Sequence, residues 1–355
     1  MGFLSKGTQT RREIQEQPEV WEETIKRLKG LKPELEERFH DLDYEKLVFF
    51  GGGTSYYLAQ TAASTFRHFT GIETVAAPSS EILLFPEDYI SATDGWKTLC
   101  CSFSRSGKTS ETVKAASFVK ENFNLPVYGF TCYEESKLAG STDFTVRFPE
   151  AKEESVVMTK SFTSMLVGLI KTASILEAHP PVDSLPRFGT GLLESYFDLA
   201  EKIFKGAEYD RFVFLGGGPL YGIASESMLK LKEMALETTE VFHPLEYRHG
   251  PKSTADKDTL VALYLSDSGY EQEVKLIPEL RELEATVVTI GESLSESAKD
   301  NSSYSIELDT GLGEYVRTPL YLPFAQSLGL NLAFKKNLDP DSPKNLTQVV
   351  ELSED

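Results

Sequence analysis

Apolar positions along the chain change their spacing more than once. Up to residue 44 they recur at three- and four-residue steps in a highly charged background. That spacing predicts helices over 13–21 and 20–39, with Pro18 and Pro33 near their starts. At 46–50 the pattern becomes a continuous apolar run, KLVFF, which ends in Gly51-Gly52-Gly53-Thr54-Ser55 and leads into a helical stretch over 56–69. Buried strand, glycine turn and helix together open a parallel α/β unit. The alternation continues with strands at 73–77, 98–103, 127–131 and 144–148 and a helix over 111–122. A second cycle begins at 211–215 (RFVFL), enters Gly216-Gly217-Gly218-Pro219 and continues into a helix over 224–236, with further strands at 259–265 and 285–290.

The two glycine triplets have the same surroundings, which indicates an internal duplication. The expected architecture is therefore two doubly wound parallel sheets of flavodoxin-like, three-layer α/β/α type, preceded by helices. Expected boundaries are 1–44 for the helices, 45–185 and 186–340 for the two α/β domains, and 341–355 for a C-terminal strap. A helical stretch over 159–204, broken at Pro180-Pro181, would join the domains, and a last helix is expected over 320–335.

A chain of 355 residues fits two domains at roughly 100–200 residues each. Its 36 basic and 55 acidic residues give a net charge of −19, which repels nucleic acid and anionic membranes. A local nest of backbone amides can still take a small phosphorylated substrate. No apolar run approaches the roughly 20 residues of a membrane span, and the polar start suggests a cytoplasmic protein. The three cysteines lack zinc-type spacing and read as small buried residues. No metal or organic cofactor is expected.

Four segments could carry chemistry. The Gly51–Ser55 segment allows close approach to an anion at a helix start, though a tight turn needs the same glycines. Ser104-Arg105-Ser106-Gly107-Lys108-Thr109 follows a strand and precedes a helix, so its hydroxyls suit either a phosphate cradle or simple helix capping. It is not a P-loop, because the upstream glycine is missing. Glu226, Lys230 and Glu233 fall at i, i+4 and i+7 on one helix face, as a solvated ion-paired face would also place them. Close by, His249 sits in Glu246-Tyr247-Arg248-His249-Gly250-Pro251, a loop from which an imidazole can reach a ligand. His40, His68, His179 and His243 read as structural or surface residues. The Pro/Asp-rich tail, 339–346, is either a strap over a crevice or a plain terminus.

In order, FGGGTSYY, SRSGKTSET, VMTKSF, LKLKE, EYRHGP and DPDSPKNL resemble the double-SIS (sugar isomerase) family, over 10–350. That family includes amino-sugar-6-phosphate deaminases, tagatose-6-phosphate isomerases and the isomerase half of glutamine–fructose-6-phosphate aminotransferase. The resemblance implies that Thr54, Ser55, Ser104, Ser106, Thr109 and the Arg105 backbone hold a sugar phosphate, with the Arg105 side chain adding charge there. It implies that Val156 and Val157 lie near the sugar, with Thr159 and Lys160 beside them and Thr347 and Gln348 on the strap. Glu233 becomes the base between C1 and C2, supported by Glu226 and Lys230. His249 becomes the ring-opening group, donated across a homodimer interface. Gln348 stands where the aminotransferase strap carries its Schiff-base lysine, and no amidotransferase domain precedes the first strand, so synthesis from glutamine is not expected. Only one phosphate site per chain is expected, since Ser266-Asp267-Ser268-Gly269 is a poor remnant of the first hydroxyl loop.

The resulting expectation is conversion of glucosamine 6-phosphate to fructose 6-phosphate and ammonia. The alternatives are a galactosamine-6-phosphate deaminase or tagatose-6-phosphate ketose–aldose isomerase, and a fructosyl-amino-acid-6-phosphate deglycase. A non-catalytic sugar-phosphate sensor is the reading from a different class.

Overall fold

The structure is a computed structural model that describes residues 6–40, 44–90, 97–176 and 182–350. The Pro180-Pro181 break and His179 lie outside the described residues, as do the first and last five residues. Two compact units are present: Glu16–Pro186 with Asn345–Asp355, and Met1–Gln15 with Arg187–Lys344.

The first unit is built on a five-stranded parallel sheet of β1 (Lys46–Gly51), β2 (Glu73–Pro78), β3 (Thr98–Phe103), β4 (Val127–Thr131) and β5 (Phe144–Arg147), in the order β2-β1-β3-β4-β5. Every residue of β3 and β4 is buried, as a parallel sheet covered on both faces requires. Side chains alternate between those faces. Val48 and Phe50 pack with Cys100, Ala115, Val119 and Val127. On the opposite face the Phe49 ring stacks on Phe103, with centroids 5.8 Å apart, and meets Phe66. The helix Lys160–Leu176 packs against Gln17–Gly30 and Thr54–Thr70. The indole of Trp21 donates to Thr163 Oγ1 at 2.9 Å. This helix is thus part of the first unit's core and not half of a joining segment, because its apolar and small residues are buried almost all round.

The second unit repeats the plan with β6 (Arg211–Gly216), β7 (Thr239–Phe242), β8 (Thr259–Tyr264), β9 (Thr286–Gly291) and β10 (Tyr304–Glu307), in the order β10-β9-β8-β6-β7. The apolar pattern does not reveal β7 and β10. Both are four-residue edge strands with partly exposed side chains, so neither carries a continuous apolar run. Helix Leu220–Ala235 packs against Leu322–Lys335. Gly329 permits that approach: a Cβ there would lie 3.2 Å from Met234 Sδ and 3.4 Å from the Lys230 carbonyl.

The segments 7–10 and 339–341 are bonded to each other. Asp341 accepts from the Thr10 amide (2.7 Å) and the Gln9 amide (3.1 Å), and Asp339 from the Gly7 amide (3.0 Å). The Asp339-Pro340-Asp341 segment therefore caps the helix Thr8–Gln15. The N-terminal helices expected as one segment, and likewise the strap, are divided between the two units.

Candidate active site

In both sheets the strand order reverses beside the first strand of the unit, between β1 and β3 and between β6 and β8. Loops leaving such a switch point open a crevice beyond the carboxyl ends of the strands. Gly51 pairs with Phe103, so the glycine turn and the 104–109 turn leave the sheet side by side. A Cβ on Gly52 would lie 3.9 Å from Thr109 Cγ2. Gly53, at φ +55°, turns the chain into the helix Thr54–Thr70, where Thr54 and Ser55 are buried.

The 104–109 turn is tightly tied. Ser104 Oγ accepts from the Gly107 amide at 3.1 Å and lies 3.1 Å from Thr109 Oγ1, while Ser106 Oγ accepts from the Lys108 amide at 3.1 Å. Gly107 has φ +62°, and a Cβ there would fall 2.3 Å from Ser136 Oγ. Thr109 occupies the N-cap position of Ser110–Phe123 without making a side-chain cap. Simple capping by Thr109 therefore does not account for its hydroxyl, and the turn gathers hydroxyls and amides at a helix start where an anion is favoured.

The Arg105 side chain corrects an expectation. It does not lend its charge to an anion: only 6% exposed, it donates to Glu153 Oε2 (3.0 Å), the Val156 carbonyl (2.8 Å) and the Gln348 carbonyl (3.2 Å). Its charge is balanced by a carboxylate, and buried pairs of this kind persist only with such geometry. Glu153 escapes sequence reasoning altogether. Its carboxylate also accepts from the Thr159 amide (2.6 Å), the Ser161 amide (2.9 Å) and Ser161 Oγ (2.6 Å), fixing the start of helix Lys160–Leu176. The only available signal was an acidic residue shortly before an apolar helix, which is common. Thr159 is buried with that carboxylate, and Lys160 pairs with Glu16 at 2.7 Å. Val157 is 1% exposed, which leaves half-buried Val156 as the member of the pair with surface to offer. On the strap, Thr347 Oγ1 donates within its own segment to the Val349 carbonyl, and Gln348 Nε2 donates to the Glu153 carbonyl at 3.4 Å.

In the second unit, Glu226, Lys230 and Glu233 are not a solvated face. Lys230 and Glu226 have fully buried side chains, and Glu233 is 17% exposed. Lys230 Nζ lies 3.0 Å from Glu226 Oε1 and 2.5 Å from Glu233 Oε2. Burial works to lower the lysine's pKa, but the two carboxylate charges and their hydrogen bonds outweigh it and hold it above the usual lysine value. The cluster is a fixed cation between two anions, with only the Glu233 end reaching solvent.

His249 is exposed on a loop made rigid elsewhere. Its amide donates to the Glu246 carbonyl (2.9 Å), and Gly250 follows at φ +123°. Arg248 Nε and Lys252 Nζ both bind Glu279, at 3.0 and 2.7 Å. Desolvation acts to raise the Glu279 pKa, yet these two cations leave it below the ordinary carboxylate value. His243 stacks on Tyr221, with ring centroids 4.0 Å apart.

The second switch point has a different content. Where the hydroxyls of the first unit's turn bond to that turn's own amides and to one another, Ser266 gives its amide to Glu273 Oε2 (2.7 Å) and its Oγ to Glu273 Oε1 (2.9 Å). The Asp267 amide goes to Glu314 Oε1 (3.1 Å). Burial raises the pKa of both glutamates. The chain's own carboxylates thus occupy the place an outside anion would take.

The sequence matches the SIS domain family over residues 42–169 and 207–322. It is 27% identical over 358 residues to D-galactosamine-6-phosphate deaminase AgaS of Escherichia coli, covering 95% of this chain and 92% of that protein. The crystal structure of tagatose-6-phosphate ketose/aldose isomerase from Escherichia coli superposes with a TM-score of 0.86 at 25% identity, covering 94% of this chain and 95% of that one. Glucosamine-6-phosphate deaminase from Thermotoga maritima gives 0.80 at 30% identity, covering 97% and 100%.

Proposed function

The chain belongs to the SIS domain family, and on that premise we propose that it is an amino-sugar-6-phosphate deaminase of the isomerase kind acting on galactosamine 6-phosphate. Support for the galacto sugar over glucosamine 6-phosphate comes from the full-length similarity to AgaS and the higher structural similarity to the tagatose-6-phosphate enzyme. The expected glucosamine 6-phosphate activity becomes the second reading, favoured by the Thermotoga maritima relative.

In this reading the 104–109 turn, with Thr54 and Ser55, binds the phosphate through hydroxyls and amides. His249 transfers the proton that opens the pyranose ring. Glu233 removes the C2 proton of the open aldose and delivers it to C1, moving the double bond so that C2 becomes a ketimine. Water adds to C2, the C–N bond breaks, and ammonia leaves with the 6-phosphorylated ketose as the second product. Sugar plus water equals ketose plus ammonia, so no oxidant or reductant is consumed. The observation that carries the reading is the Glu226–Lys230–Glu233 cluster: a partly exposed carboxylate held on a buried cation is oriented for proton abstraction. The exposure of His249 suits a group that serves a neighbouring copy in a homodimer.

The test is ammonia release from galactosamine, glucosamine and mannosamine 6-phosphates, with wild type and Glu233→Gln. Placed proton transfer is worth about 10²–10⁴ in rate, so the variant should lose that factor in kcat while binding sugar phosphate. Undiminished turnover by the variant removes Glu233 as the base. Release from the gluco sugar alone reverses the choice of substrate.

A further inference from the structure

We infer that Arg105 is a positioning residue: its guanidinium fastens loop 153–157 and the C-terminal strap to the 104–109 turn, and thereby sets the affinity of that site for the sugar part of its ligand. The inference rests on the reading that this turn holds the phosphate.

Arg105 lies in the turn itself, and its backbone is fixed from below. Its carbonyl accepts from the Cys132 amide at 3.0 Å and Thr131 Oγ1 at 3.1 Å. From that anchor the side chain reaches three groups far apart in sequence: Glu153 Oε2, the Val156 carbonyl and the Gln348 carbonyl. Two further bonds hold the strap to the same place. Gln348 Nε2 donates to the Glu153 carbonyl at 3.4 Å, and the Ser110 amide donates to the Val350 carbonyl at 3.2 Å. Ser110 is the first residue of the helix after the turn. The strap residues at 344–348 are otherwise exposed, and these polar contacts hold them to the turn and its neighbours.

A planar fork with several N–H groups can serve a carboxylate and two carbonyls at once, whereas a lysine offers a compact charge on a flexible stem. Glu153 in turn is committed to the amides of Thr159 and Ser161, so the loop and the helix behind it move with the pair. Loss of the guanidinium therefore frees the two walls on either side of the turn while leaving the hydroxyls and amides of the turn in place. Inorganic phosphate needs only the turn. A hexosamine phosphate also needs the walls.

The experiment uses the full chain as wild type, Arg105→Gln, Arg105→Lys and the double variant Arg105→Gln/Glu153→Gln, which removes both buried charges and guards against misfolding from an unpaired Glu153. Calorimetry gives Kd for inorganic phosphate and for galactosamine 6-phosphate, turnover gives KM and kcat, and strap docking is read from tryptic cleavage after Lys344 and exchange of the Ser110 amide. Each variant is expected to be cleaved about tenfold faster and to bind the sugar phosphate about 10–100-fold more weakly, with most of the loss in KM. Affinity for inorganic phosphate should change less than about threefold. Unchanged cleavage and exchange in all variants overturns the proposal. So does an equal loss for both ligands, which would make Arg105 a direct phosphate ligand. If wild type binds phosphate but no hexosamine phosphate, the substrate reading fails, and the cleavage and exchange data still decide the role of Arg105.

Discussion

Lys230→Met takes the cation from between two carboxylates and keeps a side chain of similar length. Glu226 is then left fully buried, with the charge of Glu233 as its neighbour and no compensating cation from Lys230. Removing one partner of a buried ion pair costs about 3–5 kcal/mol, much of it the desolvation of the charge left behind. At roughly 2–4 °C per kcal/mol for a domain of this size, the melting transition of the second unit should fall by about 6–20 °C at pH 7.5. The pH dependence identifies the cause. In wild type the lysine's pKa is raised above 10.5, so its contribution is complete below that value and is lost only as pH rises through the higher folded value. Between pH 5.5 and 7.5 wild type is flat in this respect. In the variant the folded pKa of Glu226 rises, so stability falls with increasing pH and the deficit shrinks towards pH 5.5. Adding Glu226→Gln should recover most of the loss. Differential scanning calorimetry of the three proteins at both pH values checks this. A Lys230→Met protein that melts within about 2 °C of wild type at pH 7.5, with no change in deficit at pH 5.5, refutes the argument that this lysine balances buried charge.

Gly107→Ala places a methyl group 2.3 Å from Ser136 Oγ at a left-handed φ of +62°. Left-handed strain alone costs about 1–2 kcal/mol, so the turn should distort and phosphate affinity, read by calorimetry, should fall at least about tenfold. Glu273→Gln tests the self-filled second switch point. Burial raises the Glu273 pKa above its ordinary 4.5, so the native carboxylate favours folding most when protonated and its contribution declines as pH rises through the folded value. The variant's melting temperature relative to wild type should therefore improve from pH 4.5 upwards, and a difference that is constant or runs the other way contradicts the burial argument. A homodimer in which His249 serves the neighbouring copy predicts a solution mass near twice that of the chain by light scattering, and a monomer that turns over substrate excludes it.

Much of this protein is determined locally, and those parts are readable from sequence. The runs at 46–50 and 211–215 are strands because a strand buried on both faces needs unbroken apolar residues, and glycine ends each triplet because Gly53 and Gly218 turn into their helices at φ +55° and +53°. The 104–109 turn is located by the same local logic. Tertiary structure decides what long polar side chains do. A spacing of i, i+4 and i+7 states that Glu226, Lys230 and Glu233 share a face, and only the packing of Leu322–Lys335 on that helix makes it a buried one. Arg105 could point at an anion or away from it; Glu153, Val156 and Gln348, brought near by folding, settle the direction. Ser266–Gly269 reads from sequence as a poor remnant of an anion loop, and folding adds what the sequence does not state, the carboxylates of Glu273 and Glu314 inside it, the latter supplied from 47 residues away. Periodicity encodes which residues lie together on an element, but the partner of a charge depends on which elements meet, and that is a property of the folded chain.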